Sequence, residues 1–196
     1  MKVAVMFSGG KDSCQSLKWC LDNNHEVIAL ISVKPKSTES FLYQYATVEW
    51  TNLSSEALGV PVIQIRSEKI GPKEEADELK EIFKNLEADA ILVGGVGLQE
   101  TQIREWKRVA QKFGIKVIVP YEDLTSEELF DKTIDAGFDI MITDVATDGL
   151  GPEWLGKKLN KENAEEFKKL SKKFGFDILG EGGYYNTFVV DGPIFN

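Results

Sequence analysis

The 196-residue sequence predicts an α/β fold, with a mainly parallel sheet flanked by helices and a smaller C-terminal α/β part that binds substrate. Short apolar runs alternate along the chain with segments whose apolar residues repeat at helical spacing. The run at residues 26–33 is almost wholly apolar, which is typical of a central strand in a parallel sheet. We expect one domain over residues 1–120 and a C-terminal subdomain over residues 121–196.

The elements follow one another with short connections. Helices are predicted at residues 11–23 and 41–58, along the apolar stripes at 76–86 and 103–113, after the capping box Thr125–Glu128, and after a cap at Asn160. Strands are predicted at residues 2–7, 26–33, 61–65, 89–93, 116–120, 139–145 and 184–190.

The composition excludes several classes of protein. No apolar run approaches the length that spans a membrane, and the chain enters a strand directly after Met1, so we expect no signal peptide and a cytoplasmic location. The net charge of −9 argues against direct binding of nucleic acid. The two cysteines, Cys14 and Cys20, fall on the apolar stripe of one predicted helix and indicate core residues rather than a disulfide or a metal site.

A glycine-containing loop joins the first strand to the first helix. Its sequence is Ser8-Gly9-Gly10-Lys11-Asp12-Ser13. Glycines let backbone N–H groups converge, and the first turn of a helix adds unpaired N–H donors and the positive end of its dipole. The loop is therefore typical of an anion site, most often for a phosphate.

The loop differs from the Walker A motif, because Val5 occupies the position of the first glycine and Asp12 follows Lys11. It resembles the SGGxDS loop of the PP-loop ATP pyrophosphatases. That resemblance implies a Rossmann-like fold of the adenine nucleotide alpha hydrolase type. It also implies cleavage of ATP between the α- and β-phosphates, with the loop holding the pyrophosphate that leaves.

Further motifs extend the resemblance over the whole chain. With the first loop, they resemble the diphthine–ammonia ligase family, whose members amidate diphthine, a modified histidine of translation elongation factor 2. The resemblance implies ATP and Mg²⁺ as cofactors, ammonium as the nitrogen source, an acyl-adenylate intermediate, and release of AMP and pyrophosphate. The motifs are Gly95-Val96-Gly97, Ala136-Gly137-Phe138-Asp139, Asp148-Gly149-Leu150, Leu155-Gly156-Lys157 and Gly180-Glu181-Gly182-Gly183.

On this reading the loop residues bind the nucleotide. The amides and hydroxyls of the loop hold the β- and γ-phosphates, Lys11 adds a positive charge, and Asp12 binds Mg²⁺ or orients the loop. A first-turn acid that suits the helix dipole is the alternative for Asp12. The expected nucleotide-binding residues of the loop are Ser8, Gly9, Gly10, Lys11, Asp12 and Ser13. The resemblance implies that Ile31, Ser32 and Val33 lie at the adenine. Gly94, Gly95 and Gly97 are expected at the ribose or α-phosphate, with a simple tight turn as the alternative.

The acceptor side departs from the family pattern. Tyr184 and Asn186 stand where the family has polar or charged residues, and Arg104 is a displaced substitute for an expected arginine. An acceptor other than diphthine, or a nucleotide-binding module without turnover, therefore stays open, and a homodimer is considered as the assembly. The expected catalytic residues are Lys11, Asp12 and Glu181, with Glu181 alternatively a solvated acid, and the expected substrate-binding residues are Gln102, Arg104, Gly182, Gly183, Asn186 and Thr187.

Overall fold

A computed structural model describes residues 1–94 and 100–195. Its main sheet has five parallel strands in the order β3-β2-β1-β4-β5. The order reverses beside β1, so the carboxyl ends of β1 and β4 meet where ligands bind in sheets of this kind. The strands are β1 Lys2–Met6, β2 Glu26–Pro35, β3 Val62–Ser67, β4 Ala90–Leu92 and β5 Lys116–Ile118.

Helices connect these strands and cover both faces of the main sheet. In residues 1–94 and 100–195, no helix is both long enough and apolar enough to cross a membrane. The helices are α1 Lys11–Asp22, α2 Thr51–Leu58, α3 Pro72–Asp77, α4 Lys80–Asn85, α5 Glu100–Ala110, α6 Ser126–Asp135 and α7 Ala164–Phe174.

The last strand belongs to a second, antiparallel sheet. It has three strands in the order β7-β6-β8, namely β6 Asp139–Val145, β7 Lys158–Leu159 and β8 Tyr185–Asp191. The sequence thus predicts the α/β class with a smaller C-terminal part correctly. The division into two subdomains near residue 120 stays a prediction.

Alternation along β1 divides the core into two layers. Val3 and Val5 face one apolar cluster, and Ala4 and Met6 face the other. The first cluster continues through α1 to Ile140 of β6 and Phe167 of α7. The antiparallel sheet therefore packs on one face of the main sheet and shares its core.

The prediction of a helix over residues 41–58 is wrong in its first half. Only Val48–Trp50, a turn of 3₁₀ helix, and α2 are helical. The fully buried carboxylate of Glu75 accepts hydrogen bonds from the N–H groups of Phe41 and Leu42, at 3.1 and 2.9 Å, and from the Ser40 hydroxyl at 2.9 Å. A distant side chain thus satisfies the peptide groups that a helix would have paired.

Two further boundaries differ from the prediction. The stripe at residues 76–86 forms α3 and α4 rather than one helix. The cap expected at Asn160 is at Asn163 instead, because the Oδ1 of Asn160 accepts from the N–H of Glu162 in the turn before α7. The capping box of α6 is confirmed, since Thr125 Oγ1 accepts from the Glu128 N–H at 3.2 Å and Glu128 Oε2 accepts from the Thr125 N–H at 2.9 Å.

The ring of Phe167 anchors the shared core. It is fully buried and contacts four aromatic rings at centroid distances of 5.1–5.9 Å. We expect Phe167→Ala to lower the free energy of unfolding by about 3–5 kcal/mol in urea titrations. Phe174→Ala is the matched control, because that ring lies on the same helix and is 42% exposed. An equal loss for both variants would contradict the assigned core.

Candidate functional site

Residues 8–13, here called the phosphate loop, join β1 to α1 in a tight turn. Gly9 has a φ of +79°, and Gly10 is the extended N-cap of α1. The Gly10 N–H donates to Ser8 Oγ at 3.3 Å, and Ser13 Oγ donates to the Gly10 carbonyl at 2.9 Å. The loop thus holds its own shape, and the first turn of α1 leaves N–H donors for a ligand.

The open edge of β8 lies against the phosphate loop. The Val189 N–H donates to the Gly9 carbonyl at 2.9 Å, and the Lys11 N–H donates to Thr187 Oγ1 at 3.1 Å. A Cβ on Gly9 would lie 2.6 Å from the Phe188 ring, so only glycine fits there. The antiparallel sheet therefore forms one wall of the site.

The side chain of Lys11 points into the protein. It is 3% exposed, and its Nζ lies 2.8 Å from Asp12 Oδ2 and 2.5 Å from the Leu179 carbonyl oxygen. The ring of Tyr185 lies below it, at 5.3 Å from Nζ to the centroid. Burial acts to lower the pKa of this ammonium, but Asp12, Tyr185 and Glu181 more than offset that effect, and the net pKa is raised. These contacts favour the charged form of the buried lysine.

One carboxylate oxygen of Asp12 has no hydrogen-bond partner. Oδ2 pairs with Lys11, whereas Oδ1 is buried and unpaired among the described residues. Buried polar atoms usually have a partner, so Oδ1 is an acceptor that a ligand can use. Residues 1–94 and 100–195 hold no cluster of three or more His, Cys, Asp or Glu side chains arranged for a metal. A single carboxylate fits Mg²⁺, which is commonly held by one or two carboxylates together with substrate phosphates.

Gly94 lies at the carboxyl end of β4, against the first turns of α1. A Cβ there would lie 2.9 Å from the carbonyl oxygen of Asp12 and 3.3 Å from Ser16 Oγ. A larger residue would separate β4 from the helix that carries the phosphate loop. The predicted contacts at Gly95 and Gly97 lie outside the described residues.

Of the adenine residues expected in β2, Ile31 pairs with the last residue of β1, and Ser32 and Val33 lie beyond that pair. Ile31 is the last residue of β2 paired with β1, and Ser32 Oγ donates to the Phe7 carbonyl at 2.6 Å. In a parallel strand successive peptide groups point to opposite sides. The N–H and C=O of Ile31 point towards β1. Those of Val33, two residues later, point to the same side of β2 but lie beyond its last pair with β1. Val33 itself is buried, and its peptide group lies on the side of β2 that faces the end of β1.

The glycine-rich turn at residues 180–183 follows the Lys11 contact at Leu179. Gly180, Gly182 and Gly183 all have positive φ, and the Glu181 N–H donates to Asp177 Oδ1 at 3.2 Å. Gly182 and Gly183 are exposed, whereas Glu181 is half-buried. The phosphate loop, Gly94 and this turn therefore lie around one site.

The remaining expected acceptor residues take different positions. Thr187 is buried beneath the phosphate loop, and Asn186 donates from Nδ2 to Asp144 Oδ2 at 3.1 Å. Gln102 donates from Nε2 to the Phe41 carbonyl at 2.9 Å. Arg104 is exposed on α5, beside an open hollow of about 540 Å³ whose described lining includes no phosphate-loop residue.

Sequence reasoning missed Gln44. Its Nε2 donates to the Ala46 carbonyl at 2.8 Å, and its Oε1 would lie 3.3 Å from a Cβ placed on Gly10. The segment from residue 36 to 47 thus reaches the phosphate loop from the side of β2. No local pattern marks Gln44, because its position depends on the distant contacts of Glu75 and Gln102.

Two family models match the chain. The diphthamide synthase N-terminal domain matches residues 1–117, and the diphthamide synthase C-terminal domain matches residues 125–196. The first match contains the phosphate loop, β1 to β4 and all but the last residue of β5, and the second contains the antiparallel sheet.

Curated relatives match along the entire chain. Proteins named diphthine–ammonia ligase from Bos taurus and Homo sapiens are each 30% identical to it over 217 residues, which cover 100% of this chain and 80% of each relative. The relative of the same name from Schizosaccharomyces pombe is also 30% identical, and the match covers 35% of that protein.

A solved structure shares the fold. It is described as a predicted subunit of tRNA methyltransferase from Methanocaldococcus jannaschii, with a TM-score of 0.51 and 16% sequence identity. The alignment covers 98% of this chain and 97% of that one. At this identity the likeness establishes the fold alone.

Two glycines in the turn at residues 180–183 test how closely it packs. A Cβ at Gly180 would lie 2.8 Å from the Tyr185 carbonyl oxygen, whereas a Cβ at Gly183 would meet nothing within 4 Å. Both have positive φ, so alanine at either position costs about 1–2 kcal/mol of backbone strain. We expect Gly180→Ala to lose about 1–3 kcal/mol more than Gly183→Ala in urea unfolding, because Tyr185 must move. Equal losses would contradict the packing.

Proposed function

The chain belongs to the diphthamide synthase family, and on that premise we propose that it is an ATP-dependent diphthine–ammonia ligase. In this proposal it joins ammonium to the carboxylate of diphthine on translation elongation factor 2 and releases AMP and pyrophosphate. A carboxylate does not condense with ammonia unaided, because its oxygen is a poor leaving group. Attack of the carboxylate on the α-phosphorus of ATP would displace pyrophosphate and give an acyl-adenylate. Ammonia, formed when ammonium loses a proton, would then attack the acyl carbon, and AMP would leave as the amide forms and a second proton is released.

The geometry of the phosphate loop carries the proposal. The loop leads directly into the N-terminus of α1, and hydrogen bonds from the edge of β8 support it. Free N–H groups at a helix N-terminus favour phosphate oxygens. We propose that the loop amides and the hydroxyls of Ser8 and Ser13 hold the β- and γ-phosphates, so that pyrophosphate leaves along α1.

The position of adenine follows from this orientation. If the outer phosphates lie at α1, the α-phosphate lies towards β4 and Gly94, and the base lies past the end of β1. The peptide group of Val33, which faces that space, is suited to pair with the adenine edge. Ile31 and Ser32 are buried and support the strand at this point.

Mg²⁺ fits beside Asp12. The unpaired Oδ1 of Asp12 would hold the ion together with phosphate oxygens of the bound nucleotide. When bound, the ion neutralises charge on the departing pyrophosphate. Asp12 itself is kept in place by its ion pair with Lys11. Its position at the start of α1 also suits the helix dipole.

We place the acceptor at the glycine-rich turn. Glu181, Gly182 and Gly183 lie next to the Leu179 carbonyl that binds Lys11, on the same side of the site as the phosphate loop. Glu181 would hold the ammonium or the acceptor, and Asn186 would line the edge of the acceptor site. Elongation factor 2 is the proposed protein partner, and the cytoplasm, where that factor acts, is the proposed location. Gln102 and Arg104, on α5, are proposed to contact the factor farther from the reacting atoms.

A product assay tests the proposed function. The protein is incubated with ATP, Mg²⁺ and ammonium, with and without elongation factor 2 that bears diphthine. We expect pyrophosphate and AMP only when the factor is present, and a factor mass that changes by one amidation. ADP and orthophosphate as the products, or turnover only with a different carboxylate, would overturn the proposal.

Asp12 provides a specific prediction for the same assay. Asp12→Asn keeps the size of the side chain and removes its charge, so pyrophosphate release is expected to fall by about 10²–10³-fold. Asp22→Asn is the matched control, because Asp22 ends the same helix and pairs with Lys18 at the surface, at 2.7 Å. An Asp12→Asn enzyme as active as the control would remove Asp12 from the mechanism.

A further inference from the structure

Two of the three donors of the Lys11 ammonium are hydrogen-bonded within the protein, and the group is enclosed on its remaining side. A lysine ammonium carries three N–H donors. In this structure Nζ lies 2.8 Å from Asp12 Oδ2 and 2.5 Å from the Leu179 carbonyl oxygen, and its remaining side faces the Tyr185 ring at 5.3 Å. With 3% of the side chain exposed, a nucleotide in the loop could not reach Nζ without breaking these contacts.

We propose that Lys11 is a positioning residue that fastens the glycine-rich turn and β8 to the phosphate loop and aims the carboxylate of Asp12. Its role in the reaction is exerted through Asp12 and through residues 179–187, and not through contact with ATP. This inference rests on the proposed function for the identity of the reaction. The fastening itself is a property of the nucleotide-free protein and is tested separately.

Lys11 binds the C-terminal part at two points. Its peptide N–H donates to Thr187 Oγ1 at 3.1 Å, and its ammonium binds the Leu179 carbonyl. The chain between those two contacts includes three glycines with positive φ. Glycine-rich turns lose much backbone entropy on ordering, so this turn needs an external anchor. Lys11 supplies that anchor from the residue next to Asp12.

The Tyr185 side chain completes the enclosure. It is buried and donates from its hydroxyl to the Ile178 carbonyl at 2.6 Å, which holds the ring beneath Lys11. An unpaired ammonium would be costly in this setting, since burying a charge without partners costs several kcal/mol. The carboxylate, the carbonyl and the ring together offset that cost. An arginine would have to place a wider, planar group among the same three partners.

The fastening predicts a coupling between the two halves of the site. If Lys11 holds both the glycine-rich turn and Asp12, loss of Lys11 must loosen both. The maximal rate should then fall, the Michaelis constant for the acceptor should rise, and the dissociation constant for ATP should change little. A lysine that touches phosphate would instead weaken ATP binding and leave the acceptor constant unchanged.

Lys11→Met tests this in two measurements. The first is hydrogen–deuterium exchange in the nucleotide-free protein, where amides from Leu179 to Thr187 should exchange about 10- to 100-fold faster, as loss of a charge-assisted hydrogen bond implies. The second is steady-state kinetics with ATP binding, where the dissociation constant for ATP should stay within about threefold while the maximal rate falls at least about tenfold. Lys11→Gln, which keeps a donor for the Leu179 carbonyl, serves if Lys11→Met does not fold.

Two further variants sharpen the outcome. Lys132→Met is the matched control, because Lys132 also lies over a tyrosine ring, that of Tyr121, at 5.8 Å, and should change neither measurement. Lys11→Arg should not reach the maximal rate of the wild-type protein, since a wider, planar group takes the place of the ammonium. Unchanged exchange at residues 179–187 together with ATP binding weakened tenfold or more, or full activity of Lys11→Arg, would overturn the proposal. If the wild-type protein releases no pyrophosphate, the proposed function fails, and the exchange measurement alone decides whether Lys11 fastens the turn.

Discussion

The contact between the edge of β8 and the phosphate loop determines how the rest of the site is built. Val189 donates to the Gly9 carbonyl, and Thr187 accepts from the Lys11 N–H, so the last strand supports the first turn of the chain. The strand is itself fixed by pairing with β6 and by the buried rings around Phe167. A loop that must hold phosphates can therefore be small and rich in glycine without being loose.

This arrangement also explains how an acidic chain can bind a highly charged nucleotide. The protein carries 23 lysines and arginines against 32 aspartates and glutamates. The lysine of the phosphate loop is buried and paired, so in our account the attraction for phosphate comes from backbone N–H groups, the α1 dipole and a bound cation. Peptide groups do not move when the charge shifts to pyrophosphate, and such preorganised donors are effective in catalysis.

The sequence predicted the features that depend on local chemistry. The order of strands and helices, the turn into α1, the capping box of α6 and the burial of Cys14 and Cys20 all follow from short-range patterns, and the structure agrees with them. The predicted helix over residues 41–58 was wrong in its first half, because Glu75 and Gln102 bind the backbone near Phe41 from far along the chain. The burial of Lys11 and the position of Gln44 depend on similar distant contacts. Periodicity and propensity depend on residues that are close in sequence. They do not include hydrogen bonds from a carboxylate or an amide on another element.

Our central claim is that the phosphate loop holds the two outer phosphates of ATP, with adenine near Val33. A crystal structure with Mg²⁺ and the α,β-methylene analogue of ATP, which resists cleavage at that bond, would show where the nucleotide lies. We expect the β- and γ-phosphates on N–H groups of the phosphate loop and the first turn of α1 other than that of Lys11, the ion beside Asp12 Oδ1, and Lys11 still bound to the Leu179 carbonyl. A nucleotide bound elsewhere, or one whose α-phosphate occupies the loop, would contradict this account.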